Sequence, residues 1–358
     1  MSLTYTDFVR DYLIERELGR GGDGVVQEYK HTTNGSLIAV KTSIRRDRRS
    51  LDGIITEINM MRKIGSSPFI VKMLGYDERV YQDFVQHGPY IFYEHMDLGD
   101  AWDYHRKLFQ RLTYVPEETV WKFFSDVLQG LNHLHNLESG PLMHGDLKPS
   151  NILVRRQAGD NSSYPTVPVF KLADFGRTAA YDPDGHPHRY YGTYEYAPPV
   201  AERNNSSPAG DMWSLGASIQ SIALTILPIQ DLQEFRDDWI RKGFAAPSLG
   251  QIHRGQEWRK EIPVVWRPLD KPFKDRKVVY SSALDRWYTI CLNEDPKTRM
   301  PAEQLVRWLV PVAEHQIRVL EARRNLERIQ RANARVEMAE EDAERLRITV
   351  EVDIDEEF

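Results

Sequence analysis

His144-Gly145-Asp146-Leu147-Lys148-Pro149-Ser150-Asn151-Ile152-Leu153-Val154 decides how the rest of the chain is read. Asp146 and Asn151 lie five apart, in a loop that runs into the apolar strand Ile152-Leu153-Val154. A carboxylate held there can accept a hydroxyl proton, or orient the hydroxyl for in-line attack. Asn151 offers a neutral oxygen to a metal. Lys148 can neutralise charge on a transferring phosphoryl group. Downstream, Leu172-Ala173-Asp174-Phe175-Gly176 places a second carboxylate after an apolar strand, beside a glycine that permits an unusual turn. Asp174 suits Mg²⁺, which prefers hard oxygen ligands and substrate phosphates.

Upstream, Ile38-Ala39-Val40-Lys41 ends an apolar strand on a charge, which is costly without a partner. Glu57 is the predicted partner. It lies on a helix marked by Ile54, Ile55, Ile58, Met61 and Ile64 at helical spacing. Before the lysine comes Gly19-Arg20-Gly21-Gly22-Asp23-Gly24-Val25-Val26. The glycines at 19, 21 and 24 fit G-x-G-x-x-G, a weak signal alone. A dinucleotide-binding loop of that pattern leads into a helix. Here the next residues, Val25 to Tyr29, read as a strand, so the loop can fold over nucleotide phosphates instead.

These elements, in this order, resemble the eukaryotic protein kinases. Two further segments match: Asp211-Met212-Trp213-Ser214-Leu215-Gly216, and Asp295-Pro296-Lys297-Thr298-Arg299. The resemblance covers about Tyr12 to Val310. It implies an α+β, bilobal kinase fold, β-rich with one main helix over about 12–96 and mostly helical over about 97–310. It also implies ATP and Mg²⁺ as cofactors. Lys41 would hold the α- and β-phosphates with Glu57 fixing it, and Asp146 would be the catalytic base. Asn151 and Asp174 would hold the metal. Glu94 to Met96 would form the hinge to adenine, directly after Tyr93, and Asp100 would meet the ribose. Val26, Ala39 and Leu153 would sandwich the adenine ring, and Met61, Met73, His144 and Phe175 would form the regulatory stack. Lys148 and Thr193, the latter in Gly192-Thr193-Tyr194-Glu195-Tyr196, imply Ser/Thr rather than Tyr acceptors on protein substrates.

Three departures stand out. Gly145 occupies the position of the family's H-R-D arginine, which in many members binds a phosphate on the activation loop. The loop itself, Arg177 to Tyr191, holds a single Ser or Thr, Thr178. Activity independent of loop phosphorylation is therefore expected. Third, Ala197-Pro198-Pro199 stands for A-P-E, one residue short after Tyr196, so the glutamate that would pair with Arg299 is missing. Glu202 is the expected substitute. A scaffold lacking turnover would more usually have lost Lys41, Asp146 or Asp174, and all three are present. A small-molecule kinase of related fold would share the Asp and Asn but generally lack the G-T-x-x-Y platform.

The chain has 358 residues and a net charge of −6, which gives no electrostatic case for nucleic acid as a general partner. Arg45, Arg46, Arg48 and Arg49 crowd one segment, read as a solvated loop or helix start. The lone Cys291 excludes an intrachain disulfide and reads as a core residue in a helix. No signal-like or membrane-spanning run is visible, so a soluble intracellular protein, cytoplasmic or nuclear, is expected. Helices are predicted at Met212–Leu227 and Ala302–Val310, whereas Asp231 to Val279 shows weak periodicity. Residues 1–11 read as an extension. Residues 311–347 read as a long charged helix with Ala322, Ile329, Val336 and Ala343 at heptad spacing, packed on its own domain, solvated or self-associating as a coiled coil. Residues 348–358 form an acidic tail whose 348–354 alternation suggests a strand, with disorder as the alternative.

Overall fold

A computed structural model describes residues 3–21, 24–44, 47–79, 88–254, 256–273 and 278–355. The N-terminal part begins with a short helix, α1 (Tyr5–Asp11), capped by Thr4. Strands β1 (Tyr12–Arg20), β2 (Val25–His31) and β3 (Leu37–Thr42) follow. Then come α2 (Arg48–Ile64), β4 (Met73–Asp77) and β5 (Tyr90–Glu94). The five strands form one antiparallel sheet in the order β1-β2-β3-β5-β4.

Strand alternation sorts this sheet into two faces. Ile38, Val40, Tyr90 and Phe92 point outward into an aromatic cluster. Phe8 of α1 covers that cluster, its ring 4.9 Å from Phe92 and 4.8 Å from Tyr29. Residues 3–11 are thus a cap on the sheet, with the Leu3 N–H donating to the Leu74 carbonyl at 2.8 Å. Ala39, Ile91 and Tyr93 point the other way, into the main core with Ile54, Ile58, Met61 and Ile64 of α2. Ile70 makes a single bridge, to Leu172, and the next strand starts at Met73. Arg48 and Arg49 open α2 behind the Asp47 cap. Arg45 and Arg46 lie outside the described residues.

The later part is mostly helical. It holds α3 (Ala101–Leu112), α4 (Glu117–His135) and β6 (Leu142–Met143). Strands β7 (Ile152–Arg155), β8 (Val169–Leu172) and β9 (Ala179–Ala180) carry the loops of the site. Then follow α5 (Pro208–Leu224), α6 (Leu232–Arg241), α7 (Leu249–Arg254), α8 (Gln256–Arg259), α9 (Ser282–Cys291) and α10 (Ala302–Asp355). The apolar stripe of α4, Val120 to Leu134, is fully buried. Helix α5 is buried on nearly every side, Ser214, Ser218, Gln220 and Ser221 included. It ends at Leu224, earlier than predicted, where Thr225 turns left-handed ahead of Pro228. Cys291 is buried in α9, as expected, and burial pushes its thiol up to about 12.

The two C-terminal segments predicted as separate are one helix. Pro311 lies inside α10, flanked by Leu309 and Ala313, which are buried. Packing of that face against α4 outweighs the roughly 3 kcal/mol that an internal proline costs. The strand suggested at 348–354 is also overturned, because the backbone stays helical to Asp355. No Gly or Pro follows Pro311 in that helix to stop it. Within α10 the stripe Leu305, Leu309, Ala313 and Ile317 is buried, and Arg324 pairs with the buried Glu118 of α4. Ile329 and Val336, farther along, are more than half exposed. No helix of the described residues is long and apolar enough to cross a membrane.

Candidate active site

The inner face of the sheet delivers the first group of residues. Lys41 sits on β3 between Val26 of β2 and Ile91 of β5, side chain inward. Glu57 shares the buried face of α2 with Ile54, Ile58 and Met61. Lys41 Nζ donates to Glu57 Oε2 at 2.6 Å and to Asp174 Oδ1 at 3.0 Å. Lys41 is only 9% exposed and Glu57 2%, so water competes little for either. Burial pulls the Lys41 ammonium down, but the charges of Glu57 and then Asp174 outweigh it and hold it charged. Burial likewise pushes Asp174 up, and Lys41 overcomes that, keeping its carboxyl below the usual value. The Tyr93 hydroxyl donates to the other oxygen, Glu57 Oε1, at 2.8 Å.

The second group stands on the loop after β6. Asp211, at the start of α5, is buried and accepts the N–H of His144 at 2.8 Å and of Gly145 at 3.0 Å. His135 also bonds Asp211, at 3.0 Å. This fixes the loop backbone from below. Gly145 has φ +77°, and a Cβ there would lie 2.7 Å from the Arg177 carbonyl oxygen, so the turn favours glycine twice over. Asp146 follows, 3% exposed. Its Oδ1 accepts the Thr193 N–H at 2.6 Å, and its Oδ2 lies 3.2 Å from Lys148 Nζ. Lys148 Nζ also donates to Thr193 Oγ1 at 2.8 Å. Asn151 donates its side-chain amide to Asp146 O at 2.8 Å, which leaves Asn151 Oδ1 as an acceptor. Asp146, Lys148, Asn151 and Thr193 therefore form one connected cluster.

Asp174 joins the two groups. It is left-handed at φ 62°, which lifts its carboxylate toward Lys41. The neighbouring Ala173 N–H donates to the Asn151 carbonyl at 2.9 Å. Among the described residues no cluster of three or more His, Cys, Asp or Glu side chains could hold a metal alone. Asn151 and Asp174 supply hard oxygens only. That donor set fits Mg²⁺, which commonly takes one or two carboxylates and completes its shell with phosphate and water. Met61, His144 and Phe175 are buried in one core, with Met73 packed against it. The His144 and Phe175 rings lie 5.4 Å apart.

The glycine loop is described at Gly19, Gly21 and Gly24, with the Gly21 N–H donating to the Gly24 carbonyl at 2.9 Å. Packing demands glycine only at Gly24, where a Cβ would lie 2.6 Å from the Thr42 carbonyl oxygen. At Gly19 and Gly21 a Cβ would meet nothing. Ala39 and Met96 belong to the main core, with Val26 and Leu153 packed against it. The Glu94 side chain is spent on Lys171 at 2.5 Å, the Lys72 N–H at 2.8 Å and Arg155 at 3.3 Å, and its own N–H donates to the Lys72 carbonyl at 3.0 Å. Asp100 caps α3, accepting the Asp103 N–H at 2.9 Å.

Sequence reading missed three contributors. Asp211 was visible only as a helix start, and its grip on the loop at His144 and Gly145 needs the fold. Arg177, directly after Gly176, brings Nε within 3.7 Å of Asp146 Oδ2. The Tyr93 hydroxyl showed no signal, because an aromatic in a strand reads as core. Outside the site, Arg299 is fully buried and forms two bonds to Glu202, at 2.9 and 2.7 Å. The partner expected for Arg299 is therefore in place.

The model of the protein kinase domain family matches residues 12–309. Among curated proteins, a probable serine/threonine-protein kinase nek2 of Dictyostelium discoideum is 24% identical over 82% of this chain and 61% of its own length. The mitogen-activated protein kinase kinase SIPKK of Nicotiana tabacum is 26% identical over 83% of the chain and 72% of its length. The serine/threonine-protein kinase dst1 of Dictyostelium discoideum is 26% identical over 82% of the chain but only 34% of its length. The chain thus spans between about a third and three quarters of these relatives. It belongs to the protein kinase family.

Proposed function

We propose that the chain transfers the γ-phosphate of ATP to serine and threonine hydroxyls of protein substrates. The observation that carries this reading is the meeting of two clusters. Lys41, Glu57 and Asp174 offer charge suited to phosphates, and Asp146, Lys148 and Thr193 offer a base and a cation suited to an acceptor hydroxyl. Asp146 accepts or orients the hydroxyl proton, and Lys148 balances charge on the phosphoryl oxygens. Lys41, held by Glu57, positions the α- and β-phosphates. The open space beside Gly19 and Gly21 leaves room for phosphates to lie close to the loop backbone. Mg²⁺, where bound by Asn151 and Asp174, would neutralise phosphate charge. The names of the relatives, two serine/threonine kinases and a mitogen-activated protein kinase kinase, support a protein acceptor. Acid hydrolysis of a labelled generic protein substrate tests the acceptor: phosphoserine and phosphothreonine are expected, and phosphotyrosine alone would refute the assignment.

Activity should not depend on activation-loop phosphorylation. Thr178, the loop's one Ser or Thr, is buried and donates its hydroxyl to the His144 carbonyl at 3.3 Å. Protein contacts already hold the loop. Strand β9 pairs with β6, the Tyr190 N–H donates to Arg203 O at 2.7 Å, and the Tyr190 hydroxyl donates to Thr193 O at 3.1 Å. Phosphatase-treated protein should keep its full rate. A rate that collapses on phosphatase treatment and returns on loop phosphorylation would contradict this.

A further inference from the structure

We propose that Tyr93 is a positioning residue whose hydroxyl latches Glu57, and through it Lys41, into the phosphate-binding arrangement. The inference rests on the nucleotide reading above and adds a part to it. Alternation along β5 turns Tyr93 to the inner face, opposite Ala39 of β3. From there its hydroxyl reaches across to α2 and donates to Glu57 Oε1 at 2.8 Å. Lys41 holds Oε2 at 2.6 Å. Each oxygen of the carboxylate thus has its own donor, one from β5 and one from β3. Two donors from two strands fix both the distance and the rotation of the carboxylate, which one donor cannot do. Burial, and then the Glu57 charge, push the Tyr93 hydroxyl well above its ordinary range, so it remains a donor at neutral pH.

Without this contact, Lys41 would keep Glu57 on one oxygen only, and Asp174 would compete for the same ammonium at 3.0 Å. Swinging α2 outward would then cost one charge-assisted bond instead of two. The latch runs through the sheet, not through residues 177–191. It gives α2 a fixed position that needs no phosphate on that loop, a separate observation from the burial of Thr178.

Tyr93→Phe fills the same volume and removes only the donor. Calorimetric titration of the full chain with ATP and, separately, with adenosine distinguishes a latch from a merely structural role. We expect Tyr93→Phe to weaken ATP about tenfold, the effect of one hydrogen bond to a buried charge, and to leave adenosine unchanged. In a Glu57→Ala background, where the acceptor is gone, the same substitution should change ATP affinity less than threefold. Equal losses for ATP and adenosine, no loss for either, or a full tenfold loss in the Glu57→Ala background would each overturn the latch. A parent protein that binds ATP no better than adenosine would instead overturn the nucleotide-phosphate reading on which it rests.

Discussion

Glu202→Ala is expected to destabilise the folded chain by about 3–5 kcal/mol, the cost of stranding one member of a buried ion pair. The stranded member is Arg299, which has no exposed side-chain surface. Its guanidinium donates to Asn293 O at 2.8 Å and Ala209 O at 2.6 Å, and stacks 5.1 Å from the Trp213 ring. Those contacts restrain the arginine, so it cannot swing to water once Glu202 is gone. In a thermal melt the loss should lower the midpoint by on the order of 5–10 °C. Glu202→Gln, which keeps one acceptor oxygen, should fall between. Adding Arg299→Met to Glu202→Ala should recover part of the loss, because no charge is then left buried. A Glu202→Ala protein that melts with the parent would show that the pair carries no stability. Glu202 ends the short 3₁₀ turn Val200–Glu202 and Arg299 lies in the loop before α10, 97 positions away, so the effect would also show that the segment after Tyr196 is anchored despite Pro199.

Much of the site was legible because its chemistry is carried by short, ordered motifs. Lys41 at a strand end demanded a buried partner, and the helical spacing of Ile54, Ile58 and Met61 put Glu57 on the same face. The fold class followed from the family resemblance that those ordered motifs carry. Where reading failed, the deciding forces were tertiary. Asp211 caps nothing in its own helix; its carboxylate serves two N–H groups of a loop 66 and 67 residues away, a pairing that no local pattern encodes. Tyr93 gave a strand-like, apolar signal, and only the approach of α2 turns its hydroxyl into a donor to Glu57.

The C-terminal segment shows the opposite error, too much weight on local pattern. Pro311 reads as a break, yet packing of Leu309 and Ala313 on α4 carries the helix through it. The alternation at 348–354 reads as a strand, yet there is no sheet edge in α10 for it to join, and an unbroken helix simply continues. Residues 1–11 read as an extension, yet residues 3–11 join the sheet's outer core through the Phe8 ring.

In the proposed reaction Asp146 acts on an acceptor hydroxyl. Both of its oxygens are engaged by donors: the Thr193 N–H on Oδ1, and Lys148 and the Asn151 amide on Oδ2. The carboxylate is therefore held in one orientation, and Arg177 adds positive charge at 3.7 Å. Asparagine at this position cannot accept a proton, and its amide would have to turn an N–H toward a donor on one side or the other. The expected loss in phosphoryl transfer is about 10²–10⁴-fold. ATP affinity should hold, because Lys41 and Glu57 are untouched. The direct measurement is transfer of labelled γ-phosphate from Mg²⁺-ATP to a protein acceptor by the parent chain and by Asp146→Asn. Transfer by the parent, with at least a hundredfold loss in the variant at equal ATP affinity, is the predicted result; equal transfer by both, or none by either, would contradict it.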